Sequence, residues 1–187
     1  MLGIALYITV NRERRIEKEL IEKKRASVTD GLTGLKNRRG YEEDIEPLKL
    51  PGGLKGVSLV MLDVNGLKFA NDNIGHSAGD ELIKGAAACI KEAAGEYGVA
   101  YRTGGDEFVA ILRTTPEQVR KCDAHFQKLT KEWKGELVKE LSISEGVVIC
   151  DEHPDITFLQ ATDLADKYMY EDKDRYYKET GRNRRKG

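Results

Sequence analysis

The spacing of apolar and polar residues divides the chain into a thin N-terminal stripe and a longer run of interleaved helices and strands. In residues 11–28 the apolar positions are Ile16, Leu20, Ile21 and Val28, and most of the rest is Arg, Lys or Glu. A stripe so narrow predicts a solvated connector helix or a short coiled coil rather than a core helix. The loop-forming stretch Thr29–Leu35 precedes a helix over Arg38–Ile45, which Pro47 and Pro51-Gly52-Gly53 end. Val57 to Leu62 is apolar and rich in β-branched residues, as expected of a buried strand, and it ends at Asp63. Leu82, Ile83, Ala86, Ala87, Ile90 and Ala94 recur with helical period and predict a helix over 78–96. Strands over 99–102 and 108–112 flank the turn Thr103-Gly104-Gly105-Asp106, a hairpin signature.

Pro116 opens a further helix that runs to Trp133. A strand follows over 141–150, in which Gly146 marks a bulge or a close backbone approach. The last helix spans 158–178. This order predicts an α/β (α+β) domain: a mostly antiparallel sheet of about five strands flanked by helices. The segment 1–28 is set apart as apolar N-terminus and connector, 29–183 as the domain, and 184–187 as a basic tail.

Composition narrows the function. In 187 residues, 31 basic side chains meet 32 acidic ones, so no global field favours nucleic acid. The basic run Arg182–Lys186 is local and reads as a solvated terminus. Cys89, Cys122 and Cys150 have no metal-site spacing and read as buried free thiols, in keeping with a reducing cytoplasm. The first ten residues are apolar and precede Asn-Arg-Glu-Arg-Arg, but a bilayer span needs about 20. Two readings stand for them: the cytoplasmic end of a membrane helix, or a helix start that packs on a partner.

Three elements carry chemistry. Asp63 stands at the carboxyl end of a buried strand, where α/β folds collect ligands. Asp106 and Glu107 lie at the tip of the hairpin, so the three carboxylates could converge on a hard cation such as Mg²⁺. Each acid alone reads more readily as a solvated turn residue. Gly104 and Gly105 supply positive φ and no side chain, so a phosphate or a flat group could approach the backbone. After Asp63, the loop to Asp80 offers Lys68 as a point charge for phosphate. It also offers Asn71 and Asp80 as readers of a guanine edge, because a carboxylate accepts from the N1–H and N2–H₂ that adenine lacks. His76 lies between them.

Four blocks in order resemble the GGDEF family of diguanylate cyclases. They are Asp30-Gly31-Leu32-Thr33-Gly34-Leu35-Lys36-Asn37-Arg38-Arg39; Leu62 to Lys68 with Asn71-Asp72 and Gly75–Asp80; Tyr101–Phe108; and Ala165–Lys173 with Gly181-Arg182-Asn183 beyond. The resemblance spans residues 30–183 and implies a nucleotidyl-cyclase-like fold. It implies that two GTP are condensed to cyclic di-GMP and two pyrophosphates in a homodimer, each protomer holding one GTP. It places Asp63, the Val64 carbonyl, Asp106 and Glu107 around Mg²⁺ (or Mn²⁺), two ions per half-site. Asp106 and Glu107 are its catalytic residues, Asn71 and Asp80 its guanine readers with His76 nearby, Gly104 and Gly105 its open backbone, and Lys68 and Lys173 its phosphate ligands.

The pattern has departures. Asn65 stands where the family often has Asp, and Leu67 where it often has Phe. The spacing from Lys173 to Arg182 is long. Many members carry an inhibitory Arg-x-x-Asp five residues before the signature; here those positions are Gly95-Glu96-Tyr97-Gly98, so no product inhibition is expected through them. An active cyclase is the first reading. A silent GTP-binding regulatory or dimerisation module is the second, and a maker of mixed adenine–guanine dinucleotides, which Asp80 argues against, the third. A sensor domain or membrane tether would attach through the connector, leaving the catalytic part in the cytoplasm.

Overall fold

The computed structural model describes residues 2–181, and within the first helix no side chain of residues 2–11, 13 or 20. The basic tail, with Arg182, lies outside the described residues. Helix α1, Leu2–Ser27, is continuous, and every described side chain between Arg12 and Ala26 is exposed. That is the expected form of a connector with a thin apolar stripe. Ile16 and Ile21 are both more than half exposed. Among the described residues, no helix is long and apolar enough to cross a membrane.

The other elements follow as β1 (Lys36–Asn37), α2 (Arg38–Ile45), β2 (Val57–Val64), α3 (Leu67–Asn73), α4 (His76–Ala94), β3 (Gly98–Arg102), β4 (Glu107–Arg113), α5 (Pro116–Glu132), β5 (Ile143–Ile149) and α6 (Phe158–Thr180). The strands form one sheet in the order β1-β3-β4-β2-β5. Only the β1–β3 pair is parallel. The class expected from the sequence therefore holds, and the hairpin is the β3–β4 pair.

Strand β2 reads as an unbroken apolar run because both faces of the sheet are covered. Val60, Leu62 and Val64 pack with α4 and α5, against Ile83, Ile90, Val119 and Phe126. Val57 and Leu59 turn to the other face, with Tyr101, Val109, Ala161 and Ala165. Asp63 follows that second alternation and so faces α6. All three cysteines are buried free thiols.

Local differences from the expected pattern have simple causes. Gly146 sits in regular register opposite Met61, so there is no bulge. It is a close approach: a Cβ there would overlap the Ala165 carbonyl and the Met169 amide of α6. The loop after Asp63 contains helix α3, which spans seven residues, too few for periodicity to declare itself. Strand β1 has two residues and is held by backbone pairing with β3 rather than by any apolar pattern.

Candidate functional site

The carboxyl end of β2 and the start of β4 bring acids together. Asp63 pairs with Glu107 across the antiparallel ladder, so both side chains leave the same face of the sheet. One residue on, the Val64 N–H donates to the Asp106 carbonyl at 3.0 Å, which fixes the hairpin tip against the end of β2. Asp63 is buried, 6 % exposed, whereas Glu107 is exposed.

Lys173 of α6 completes this corner. Its ammonium lies 2.6 Å from Asp63 Oδ1, and both side chains are mostly covered. The contact is an ion pair at hydrogen-bond distance, and among the described residues the buried Oδ1 has no further partner. Burial pushes the Asp63 carboxyl up from its ordinary value; Lys173 pulls it down, and the charges of Asp106 and Glu107 push it up again. Lys173, read from the sequence as a phosphate ligand, is here the counter-ion of the central acid.

The turn between the strands is four residues long, Thr103–Asp106, and is closed by the N–H groups of Thr103 and Gly104 on the Glu107 carbonyl. Neither Gly104 nor Gly105 takes a positive φ, contrary to the sequence expectation. Two-residue hairpin turns demand that conformation, while longer loops built on right-handed turns do not. What the glycines contribute is room. A Cβ on Gly104 would crowd the Glu107 carboxylate, and one on Gly105 would meet nothing within 4 Å.

Arg102 braces the same turn. Its guanidinium donates to the Gly105 carbonyl at 2.8 Å and to Asp30 Oδ1 at 3.2 Å. Asp30 also accepts from the Thr33 backbone and hydroxyl. Burial opposes its charge, but these donors hold its carboxyl below the ordinary value. The first sequence block is thereby tied to the third. Sequence reasoning missed this link, since 72 residues separate Asp30 from Arg102 and nothing in their spacing joins them.

A second corner forms where α3 meets α4. Lys68 and Asn71 are three apart on α3, and His76 and Asp80 four apart on α4, so each pair shares a helix face. Lys68, His76 and Asp80 are exposed, while Asn71 is half-buried. The Asn71 amide occupies the space that a Cβ on Gly79 would fill. That packing sets Asn71 beside the turn carrying Asp80. Asn65, at the position of the family's second Asp, is a buried brace: its Nδ2 donates to Ser142 and Ser144 Oγ at 3.0 and 2.9 Å.

Among the described residues no three His, Cys, Asp or Glu side chains are gathered as a metal site. The acids nevertheless suit a hard cation. Asp63 Oδ1 is buried and already holds a cationic group as its one partner among the described residues, and Glu107 and Asp106 lie at the same strand ends.

Residues 27–184 match the family described as "Diguanylate cyclase, GGDEF domain". Diguanylate cyclase VdcA of Vibrio cholerae is 33 % identical over 177 residues, covering 91 % of this chain and 50 % of the relative. Diguanylate cyclase DgcN of Escherichia coli is 31 % identical over 165 residues, covering 85 % and 40 %. The chain thus spans half or less of the length of these relatives. Among solved structures, the coiled coil and GGDEF domain of DgcB from Caulobacter crescentus, in complex with c-di-GMP, superimposes with a TM-score of 0.74 at 25 % identity. That match covers 98 % of this chain and 97 % of that one. Diguanylate cyclase SiaD of Pseudomonas aeruginosa, solved with its activator SiaC, gives 0.71 at 26 % identity, covering 92 % and 68 %. The chain belongs to the GGDEF-domain family of diguanylate cyclases.

Proposed function

We propose that this domain condenses two molecules of GTP into cyclic di-GMP, releasing two pyrophosphates, at an interface between two copies of itself. The observation that carries the reading is the placement of Asp63, Asp106 and Glu107 at adjoining strand ends, Asp63 and Glu107 on one face of the sheet. It is supported by the Asn71–Gly79–Asp80 corner in the segment that follows β2.

In this reading Asp80 accepts the N1–H and N2–H₂ of guanine, and Asn71 matches the adjoining edge. His76 lies on the same helix face as Asp80. Lys68 and Lys173 hold phosphate oxygens as point charges. Gly104 and Gly105 let the ribose and α-phosphate approach the turn. Asp63, the Val64 carbonyl, Asp106 and Glu107 would hold two Mg²⁺, or Mn²⁺, which when bound supply charge neutralisation at the phosphates and lower the pKa of the attacking hydroxyl. Asp106, with Glu107 beside it, takes the proton of the 3′-hydroxyl as that oxygen attacks the α-phosphate of the other GTP and pyrophosphate leaves.

One copy places one such half-site on its surface, so turnover requires a second copy. Helix α1 would bring two copies together as a coiled coil and carry the signal from a preceding sensor or membrane tether, with the catalytic part in the cytoplasm.

The test is to incubate the purified chain with GTP and Mg²⁺ over a range of protein concentrations and to separate the nucleotides by chromatography. Cyclic di-GMP formed at a rate that climbs more steeply than protein concentration is the expected result. No product, even from copies joined by a fused coiled coil, would leave a silent GTP-binding module. A mixed dinucleotide from ATP plus GTP would overturn the guanine assignment.

A further inference from the structure

We propose that Lys173 is a resident counter-ion that guards Asp63, so that the site binds a bare divalent cation only weakly and binds one tightly when a nucleotide arrives to draw the lysine away. This rests on the reading of Asp63 as a metal ligand given above. Three observations carry it. The ammonium stands 2.6 Å from Asp63 Oδ1, with 17 % and 9 % of the two side chains exposed. That oxygen is buried and the lysine ammonium is its one partner among the described residues, so a cation binding there must take the lysine's place. And the acids around it, Asp106 and Glu107, add only negative charge, so the lysine is what makes the corner tolerable without metal.

The lysine is also placed to leave. The backbone of α6 is pinned one residue earlier, where Asp172 accepts the Glu145 N–H at 3.2 Å and pairs with Arg175. Any rearrangement therefore falls to the flexible four-carbon stem of Lys173 and not to the helix. One positive charge cannot fully neutralise both Asp63 and a phosphate oxygen, although the ammonium has donors enough to touch both. A divalent ion at Asp63 and a nucleotide phosphate nearby exchange the two partners: the metal takes the carboxylate and the lysine takes the phosphate. Without the phosphate, the metal must expel a buried positive charge that has no new partner.

The experiment measures free Mn²⁺ by electron paramagnetic resonance, without nucleotide, over the wild-type chain, Lys173→Met and Lys173→Met/Asp63→Asn. Removal of the lysine is expected to tighten Mn²⁺ binding by about tenfold or more, and the added Asp63→Asn change to abolish the gain. A folded Lys173→Met chain that binds Mn²⁺ no better than wild type overturns the proposal. A second measurement uses the wild-type chain alone, should the variant fail to fold. Acetylation of Lys173, followed by mass spectrometry, should accelerate several-fold when Mn²⁺ saturates the site, and an unchanged rate overturns the proposal. The cyclase reading is judged separately. Tighter Mn²⁺ binding in Lys173→Met, with no cyclic di-GMP from wild type and GTP, sinks the reaction and keeps the guard. Ready turnover with no Mn²⁺ difference does the reverse.

Discussion

The side-chain amide of Asn71 fills the volume that a Cβ on Gly79 would occupy. This is a packing constraint between α3 and α4, and it predicts the behaviour of Gly79→Ala. Alanine in the body of a helix is worth about 1 kcal/mol over glycine, so with no collision the variant would be stabilised. The collision instead displaces Asn71 from its place beside Asp80. Expected is a half-saturating GTP concentration raised by about tenfold or more, the loss of one base-directed hydrogen bond, with no gain in melting temperature. GTP titration and a thermal melt check both.

Asp106→Ala should abolish cyclic di-GMP formation and leave the fold intact. The Asp106 backbone carbonyl, not its carboxylate, accepts the Val64 N–H, so the contact between hairpin tip and β2 survives the change. Far-UV circular dichroism unchanged from wild type, together with product below detection, is the expected pair of results. Retained turnover would remove Asp106 from the mechanism.

The order of elements was legible in the sequence because it rests on period. The apolar run of β2 and the helical spacing of α4, α5 and α6 each announce themselves, and Pro116 and the Gly-Gly turn punctuate them. Elements held by pairing rather than pattern were not legible: β1 is two residues long, and α3 has too few turns for a stripe. In the site, the residue types at Asp63, Asn71, Asp80 and Asp106 were readable because the chemistry names them. Their partners were not. Lys173 reaches Asp63, and Arg102 reaches Asp30, only once the sheet and α6 have assembled. The positive φ expected of Gly104 and Gly105 failed because a four-residue loop relaxes the demand that a two-residue turn imposes.

Arg102 is expected to position the signature turn. Its guanidinium spans Asp30 and the Gly105 carbonyl, and only 16 % of the side chain is exposed. Arg102→Ala leaves the Gly105 carbonyl unpaired and Asp30 with Thr33 alone, at a cost of about 1–3 kcal/mol. Turnover should fall by about tenfold or more, and Arg102→Lys should recover little, because one ammonium cannot serve two acceptors in a fork. A double-mutant cycle with Asp30→Asn should show strong non-additivity in melting free energy.

Product feedback through the segment before the signature should be absent. Gly95 ends α4 with a φ of +52°, Gly95–Tyr97 forms a single 3₁₀ turn, and Gly98 opens β3. The two positions that need Arg and Asp therefore carry no side chain. Initial rates measured with added cyclic di-GMP at micromolar levels should match those without it. Inhibition that tracks cyclic di-GMP binding and is relieved by altering residues 95–98 would contradict this.

The pair Glu145 and Asp123 predicts a pH dependence of stability. Glu145 of β5 faces Asp123 and Gln127 of α5, beside an apolar cavity of about 30 Å³ lined by Val60, Leu112 and Phe126. Burial first, then the charge and hydrogen bond of Asp123, push the Glu145 carboxyl up to about 8, with Gln127 opposing and Asp172 of α6 adding a further push. The folded chain thus keeps a proton on this pair that the unfolded chain releases near 4.5. Stability from this pair is whole below the unfolded value. It falls as pH rises from there toward 8 and then levels off, because the folded state binds more protons across that window. Glu145→Gln keeps a donor toward Asp123 and removes the titration. It should flatten the melting temperature between pH 5 and 8, with the gain over wild type largest at pH 8, on the order of 2 kcal/mol. Thermal melts of the two chains across that range decide it: parallel curves would mean that Glu145 is ionised in the folded chain and that the pair holds no proton.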